Sequence, residues 1–181
     1  MDTSNIQERI ARIHELPIEE QRDILATVDL LDSIRSRNDA TTKFLPFVKK
    51  VWPGFVEGYH HTIMADAFER VVAGTLKRVI INMAPRHTKS EFASHMFPAW
   101  FLGHYPQKYV IQASGKWKTT AKGEYFAVGV GGTLTGRGGD LIIIDDPHSE
   151  QQAKQAENKP EIYDSVFEWY TSGPRQRVQP G

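Results

Sequence analysis

Three short, continuously apolar runs constrain this chain most: "RVIINMA" at 78–84, "KYVIQAS" at 108–114 and "LIIIDD" at 141–146. Each has the length of a strand. None alternates polar with apolar, as a half-exposed strand would. Strands of that kind belong to parallel sheets whose two faces are covered by helices. The intervening "TKSEFASHMFPAWFLG" fits a helix ended at Gly103, which Pro98 should kink or divide. A further strand is expected in "GEYFAVGV", followed by the glycine-rich loop "GGTLTGRGGD". Residues 149–172 read as helical with a break at Pro160. The expected fold class is α/β, a mostly parallel sheet flanked by helices.

The first third of the chain follows a different pattern. Ile6, Ile10 and Ile13 recur at helical spacing, so a short amphipathic helix is expected over residues 4–15. Pro17 suits a first helical position, and Ile24, Val28, Leu31 and Ile34 carry a second helix to about Arg37. The stretch from Asn38 to His61, with two prolines and many aromatics, reads as an irregular connection. A third helix is expected from His60 to Ala73, with Gly74 as its stop. This divides the chain into a helical N-terminal segment, 1–43, and a core, 44–181.

Composition narrows the function classes. The 181 residues carry 22 basic and 22 acidic side chains, so a non-specific coat for nucleic acid is disfavoured, while a local basic patch remains compatible. There is no cysteine, which removes disulfides and thiolate-bound metals. The opening "MDTSNIQERIARIHELP" lacks the apolar stretch of a secretory signal, and no run is long enough to span a membrane. A cytoplasmic, non-secreted protein is expected. No HExxH or GxSxG pattern occurs, so zinc-peptidase and serine-hydrolase chemistry has no support.

The first strand runs into "PRHTKSE". A phosphate-binding loop is a strand, then GxxxxGK[ST], then a helix: backbone N–H groups cradle the phosphates, the Lys reaches the β/γ oxygens and the hydroxyl binds Mg²⁺. Aligned on Lys89 and Ser90, the pattern places Met83 at the first glycine and Thr88 at the second, so both glycines are missing. Arg86 adds a second cation beside the phosphate position. The same residues also fit a plain helix start, with Thr88 as N-cap and Glu91 three residues on.

The third strand ends in Asp145 and Asp146. A phosphate-loop ATPase needs one carboxylate for Mg²⁺ and one to orient or deprotonate the attacking water. Acids at the carboxyl end of a buried parallel strand are well placed for both. The alternative is an acidic turn closed by Pro147, with Asp146 capping the next helix.

Taken together, "NMAPRHTKSE", "GEYFAVGVGGTLTGRGGDLIIIDDPHSE" and "WYTSGPRQRVQPG" resemble the large subunit of tailed-phage terminases, from about Phe44 onward. That family's ATPase domain is a P-loop NTPase of the additional-strand class, and its phosphate loops often lack the usual glycines and carry an arginine. The resemblance implies ATP and Mg²⁺ as cofactors, with Arg86, His87, Thr88, Lys89 and Ser90 around the phosphates and Ser90 and Asp145 serving the metal. Asp146 would match the catalytic acid, more often Glu, and Arg86 would act with it at the γ-phosphate. Tyr59, His60 and His61 fall where the family contacts adenine; the alternative is an aromatic helix start packed on the sheet. Arg137, in the glycine-rich loop, would reach a neighbouring subunit's nucleotide or DNA, and a solvated arginine on a turn fits as well. The implied partners are double-stranded DNA, a portal protein and the terminase small subunit, in a homo-oligomeric ring in the host cytoplasm.

Two departures from the family pattern bear on activity. Only Gly115 and Lys116 separate Ser114 from Trp117, where the family carries a further helix and strand. The chain also ends at Gly181, before the family's nuclease domain, so no nuclease activity is expected of it. A non-catalytic or nucleotide-binding-only fragment is therefore the alternative. A helicase-like ATPase would need a second lobe for which this length leaves no room.

Overall fold

The computed structural model of the chain describes residues 13–112, 116–127, 129–132 and 138–179. Most of the helix expected over residues 4–15 lies outside them, and its end, Ile13–Glu15, is a 3-10 turn. The chain divides into two compact units, Met1–Gly54 and Phe55–Gly181.

The first unit is helical. Helix α1 spans Ile18–Thr42, with Pro17 as its N-terminal flank. It runs past the expected end near Arg37, and in its last turn the Thr41 and Thr42 hydroxyls bond back to the Asn38 carbonyl, at 2.8 and 2.9 Å. Lys43, extended at φ −126°, separates it from helix α2, Phe44–Val51. That helix corrects the irregular connection expected here. Pro46 is its third residue, and the first turn of a helix has N–H groups with no intrahelical partner, so a proline there removes nothing. Ala40, Phe44 and Val48 are buried.

In the second unit, helix α3 covers Tyr59–Val72, close to expectation. Gly74 ends it in a left-handed conformation, φ +73°, with its N–H on the Val71 carbonyl. The next segment departs from expectation: 78–84 is not a strand, and Ile80 is 89% exposed. A strand exists only where its N–H and C=O groups meet a paired backbone. An apolar run signals burial but supplies no partner, and none of the described strands pairs with this one.

The helix after the loop is built in two parts. Glu91–Met96 is a widened π turn in which the Phe97 N–H reaches back five residues to Phe92. Helix α4, Phe97–His104, follows, with Pro98 in its first turn, so the proline marks the division. Phe68 of α3 stacks on Phe97 at 4.2 Å and 12°. Buried Phe92, Trp100, Phe101 and Leu102 extend this core. Each such side chain contributes about 1.5–3 kcal/mol by leaving water.

The sheet has the order β2-β3-β1-β4. Strand β1, Tyr109–Gln112, lies parallel to both β3, Glu124–Ala127, and β4, Leu141–Ile142. Strand β2, Lys116–Lys118, runs antiparallel along the outer edge of β3. The expected parallel pairing is therefore present among short strands, but the run 141–146 is not the buried strand expected: β4 is two half-buried residues at the sheet edge, with only β1 beside it, and Ile144 is exposed. Gly123 permits the approach of β3 to β1: a Cβ there would sit 2.3 Å from the Pro106 carbonyl oxygen and 2.6 Å from that of Lys108. Helices α5, Glu150–Ala156, and α6, Glu161–Ser172, follow, broken at Pro160 as expected. Ser149, not Asp146, caps α5, in a reciprocal capping box with Gln152. The architecture is thus α/β: a small, mostly parallel sheet with helices around it.

Candidate functional site

The candidate site lies wholly in the second unit, where the 85–90 loop faces the end of β4. Arg86 and Thr88 are both left-handed, at φ 65° and 58°. Glycine adopts this region freely, but an L-residue pays about 1–2 kcal/mol there, and a β-branched one fits worst. Thr88 occupies the position of the second glycine in the phosphate-loop pattern. The Thr88–Glu91 capping box is not formed: the Thr88 hydroxyl lies on the His87 carbonyl at 2.7 Å. Among the described residues, the N–H groups of Thr88, Lys89 and Ser90 donate no backbone-to-backbone hydrogen bond outside the helix. Open donors at the start of a helix favour an anion.

Across from the loop, pairing with β1 continues one residue past β4, Ile143 N–H to Ile111 O at 2.9 Å, and then the chain turns through Ile144 to the acids. Lys89 Nζ lies 2.5 Å from Asp146 Oδ1 and 3.7 Å from Asp145 Oδ1. The Lys89 and Asp145 side chains are 23% and 20% exposed, and Asp146 is 70% exposed. The Asp146 hydrogen bond, with smaller help from both acids' charge, raises the Lys89 amine above its usual value against the opposing effect of burial. The amine therefore stays charged. Asp146 is itself left-handed, φ 41°.

Ser94 completes this arrangement. Its hydroxyl donates to Asp145 Oδ2 at 2.9 Å, and the residue is 4% exposed. In a regular α-helix, residues five apart point roughly 140° away from each other. The π turn brings Ser94 round to the acid that Lys89 also meets.

On the other side of the loop, His61 is 4% exposed. Its Nδ1 accepts the Gly58 N–H at 2.8 Å, and its Nε2 lies 2.7 Å from Thr88 Oγ1. Burial, the largest influence, and neighbouring His60 lower its pKa below the ordinary 6.5, while Glu57 pulls the other way.

The expected residues thus fall into three groups. Lys89, Asp145 and Asp146 meet in one contact network, Thr88 bonds His61 on the other side of the loop, and Ser90 enters the helix beside them with no hydrogen bond from its side chain among the described residues. Arg86 and His87 are exposed on the turn, His87 Nδ1 donating to the Pro85 carbonyl at 2.9 Å. Of the residues expected on the adenine side, His61 is bonded to the loop, His60 lies against it at 3.8 Å with the rings tilted by 45°, and Tyr59 is 82% exposed. Arg137 lies outside the described residues. Ser94 was not foreseen, because a serine five positions beyond a lysine marks nothing in an α-helical reading.

The oxygen donors expected to serve Mg²⁺ are the Ser90 hydroxyl and the Asp145 carboxylate, which Lys89 and Ser94 hold from two sides, and no group of three metal-ligating side chains occurs among the described residues. Mg²⁺ commonly takes one or two carboxylates and completes its shell with phosphate and water. No helix among the described residues is long and apolar enough to cross a membrane. Comparison with known proteins gave no matching family model, no matching curated protein and no matching solved structure.

Proposed function

We propose that the second unit is a nucleotide-binding ATPase module of the terminase large-subunit type, coupling Mg-ATP hydrolysis to movement of double-stranded DNA. The observation that carries this reading is Lys89 at the start of a helix, ion-paired to two acids at the carboxyl end of a parallel strand. In this reading the open N–H groups of Thr88, Lys89 and Ser90 cradle the phosphates, beside the Arg86 and His87 side chains. Lys89 leaves its carboxylate partners to bind the β/γ oxygens. Ser90 and Asp145 hold Mg²⁺, which when bound would neutralise charge developing on the phosphate oxygens. Asp146, the more exposed acid, would take the proton from a water attacking the γ-phosphorus as the bond to the β–γ bridging oxygen breaks and ADP leaves, and Arg86 would supply positive charge at that phosphoryl group. The P-loop fold of the additional-strand class, the portal and small-subunit partners, the ring on the portal and the host cytoplasm all follow from the family resemblance and belong to the same proposal.

One observation favours the alternative, a module that binds nucleotide without turning it over. The run 78–84, which should anchor the loop from inside the sheet, pairs with none of the described strands. A loop without that anchor holds phosphates less rigidly than catalysis requires. The deciding experiment is phosphate release from Mg-ATP by the purified chain, with and without double-stranded DNA, beside Lys89→Ala and Asp146→Asn. Turnover lost in both variants supports the ATPase. Nucleotide binding without turnover, lost in Lys89→Ala, supports the alternative. No binding by the parent chain overturns both.

A further inference from the structure

We infer that His61 is a positioning residue for the phosphate loop: through Thr88 it holds the turn in the left-handed conformation from which Lys89 and Ser90 enter the helix. The inference rests on the proposed reading that this loop takes phosphate. It adds what keeps a loop without glycines in shape.

A strained backbone persists only where its surroundings over-determine it. Around Thr88 they do so through a chain of hydrogen bonds whose directions are all fixed. The Thr88 hydroxyl has one proton, and its neighbour His87 O, at 2.7 Å, can only accept. His61 Nε2, 2.7 Å from the same hydroxyl, must therefore be the donor. Independently, the Gly58 N–H at 2.8 Å requires Nδ1 to be the acceptor. Both ends demand one state, a neutral imidazole with its proton on Nε2. Burial of the ring favours that state, as does the neighbouring His60, with Glu57 opposing.

The ring is also held in place. Phe55 and Phe92 pack against it at 4.8 and 4.6 Å, and the Phe92 N–H bonds the Thr88 carbonyl at 3.0 Å. Phe92 thus fixes both the imidazole and the residue the imidazole bonds. Both ring nitrogens are occupied, which leaves His61 none for a nucleotide base and separates its role from the adenine contact expected for it.

The test is a double-mutant cycle on the full chain, with Mg-ATP as the binding probe. His61→Ala should weaken binding about tenfold, the order expected for one lost hydrogen bond with a strained partner. In a Thr88→Gly background, where the conformation needs no support, His61→Ala should cost less than about twofold. His61→Gln, whose amide can donate to the same hydroxyl, should recover most of the loss. Equal losses from His61→Ala in both backgrounds would overturn the inference, since His61 would then act by packing alone. A ligand-free readout separates this from failure of the ATPase reading. Nitrogen NMR of the His61 ring should show the Nε2–H tautomer. The Lys89 and Ser90 amide signals should move in His61→Ala and stay in place when His61→Ala is added to Thr88→Gly. If the parent chain binds no Mg-ATP, the proposed function falls while these signals still decide the role of His61; an Nδ1–H tautomer or unmoved amides would refute it.

Discussion

Lys89 Nζ and Asp146 Oδ1 stand 2.5 Å apart, 57 residues distant in sequence, so the cation expected to hold phosphate is already neutralised by the acid expected to activate water. A phosphate entering this site competes with a carboxylate for one ammonium. Asp146→Asn should therefore tighten nucleotide binding in the absence of Mg²⁺. The gain should stay within about fivefold, because a carboxylate this exposed contributes at most about 1 kcal/mol. The same substitution should abolish turnover, and Lys89→Ala should weaken binding by at least about tenfold. Titration calorimetry with ATP and EDTA, beside a phosphate-release assay, checks all three. Weaker binding in Asp146→Asn would show that no such competition exists.

Ser94 predicts an effect on stability. Removing its hydroxyl deprives Asp145 of a buried donor, so Ser94→Ala should cost about 1–2 kcal/mol. In a chain of this size that lowers the melting midpoint by several degrees. Urea unfolding of the two proteins measures it. The paired expectation is that Ser94→Thr, which keeps the hydroxyl, loses less unless its extra methyl group cannot be accommodated.

What the sequence made legible, and what it hid, divides along the range of the forces involved. Helix α3, its stop at Gly74 and the break at Pro160 depend on local periodicity and on residues with restricted or unusual backbones, and they stand as read. The parallel pairing of β1, β3 and β4 follows from apolar strands that need cover on both faces. The run 78–84 has a similar composition and pairs with none of the described strands, because a strand is a property of two segments and composition describes one. Helix α2 was hidden by Pro46, which is harmless in a first turn. At the site, the sequence pointed to Lys89 and the two acids but not to Ser94, whose direction depends on a π turn, nor to the bond from His61 to Thr88. Contacts of that kind are fixed only once tertiary packing has set the backbone.

Gly123 tests the sheet itself. Its N–H bonds the Pro106 carbonyl at 3.1 Å, and the backbone oxygens of Pro106 and Lys108 occupy the space a methyl group would take. Those atoms belong to the chain entering β1, so they cannot yield as a flexible side-chain end would. Gly123→Ala should destabilise the fold by at least about 2 kcal/mol, in the range of overpacked cores. Unfolding in urea reads the loss. A near-neutral result would mean that β3 does not approach β1 this closely.

The pH dependence of stability should carry the signature of His61. Its folded pKa lies below the ordinary 6.5, so as pH falls past that value the unfolded chain takes up a proton that the folded one refuses. The stability attached to this group is complete above about pH 6.5 and is lost progressively as pH falls from there through the lowered folded value. His60 and Glu57 face the same ring, and their effects oppose each other. The comparison that isolates His61 is therefore the difference between the parent chain and His61→Gln, which carries no titrating group. Melting midpoints between about pH 8 and pH 5 should fall more steeply in the parent chain than in the variant. Parallel curves would mean that His61 titrates alike in the folded and unfolded states, which its burial and its two fixed hydrogen bonds argue against.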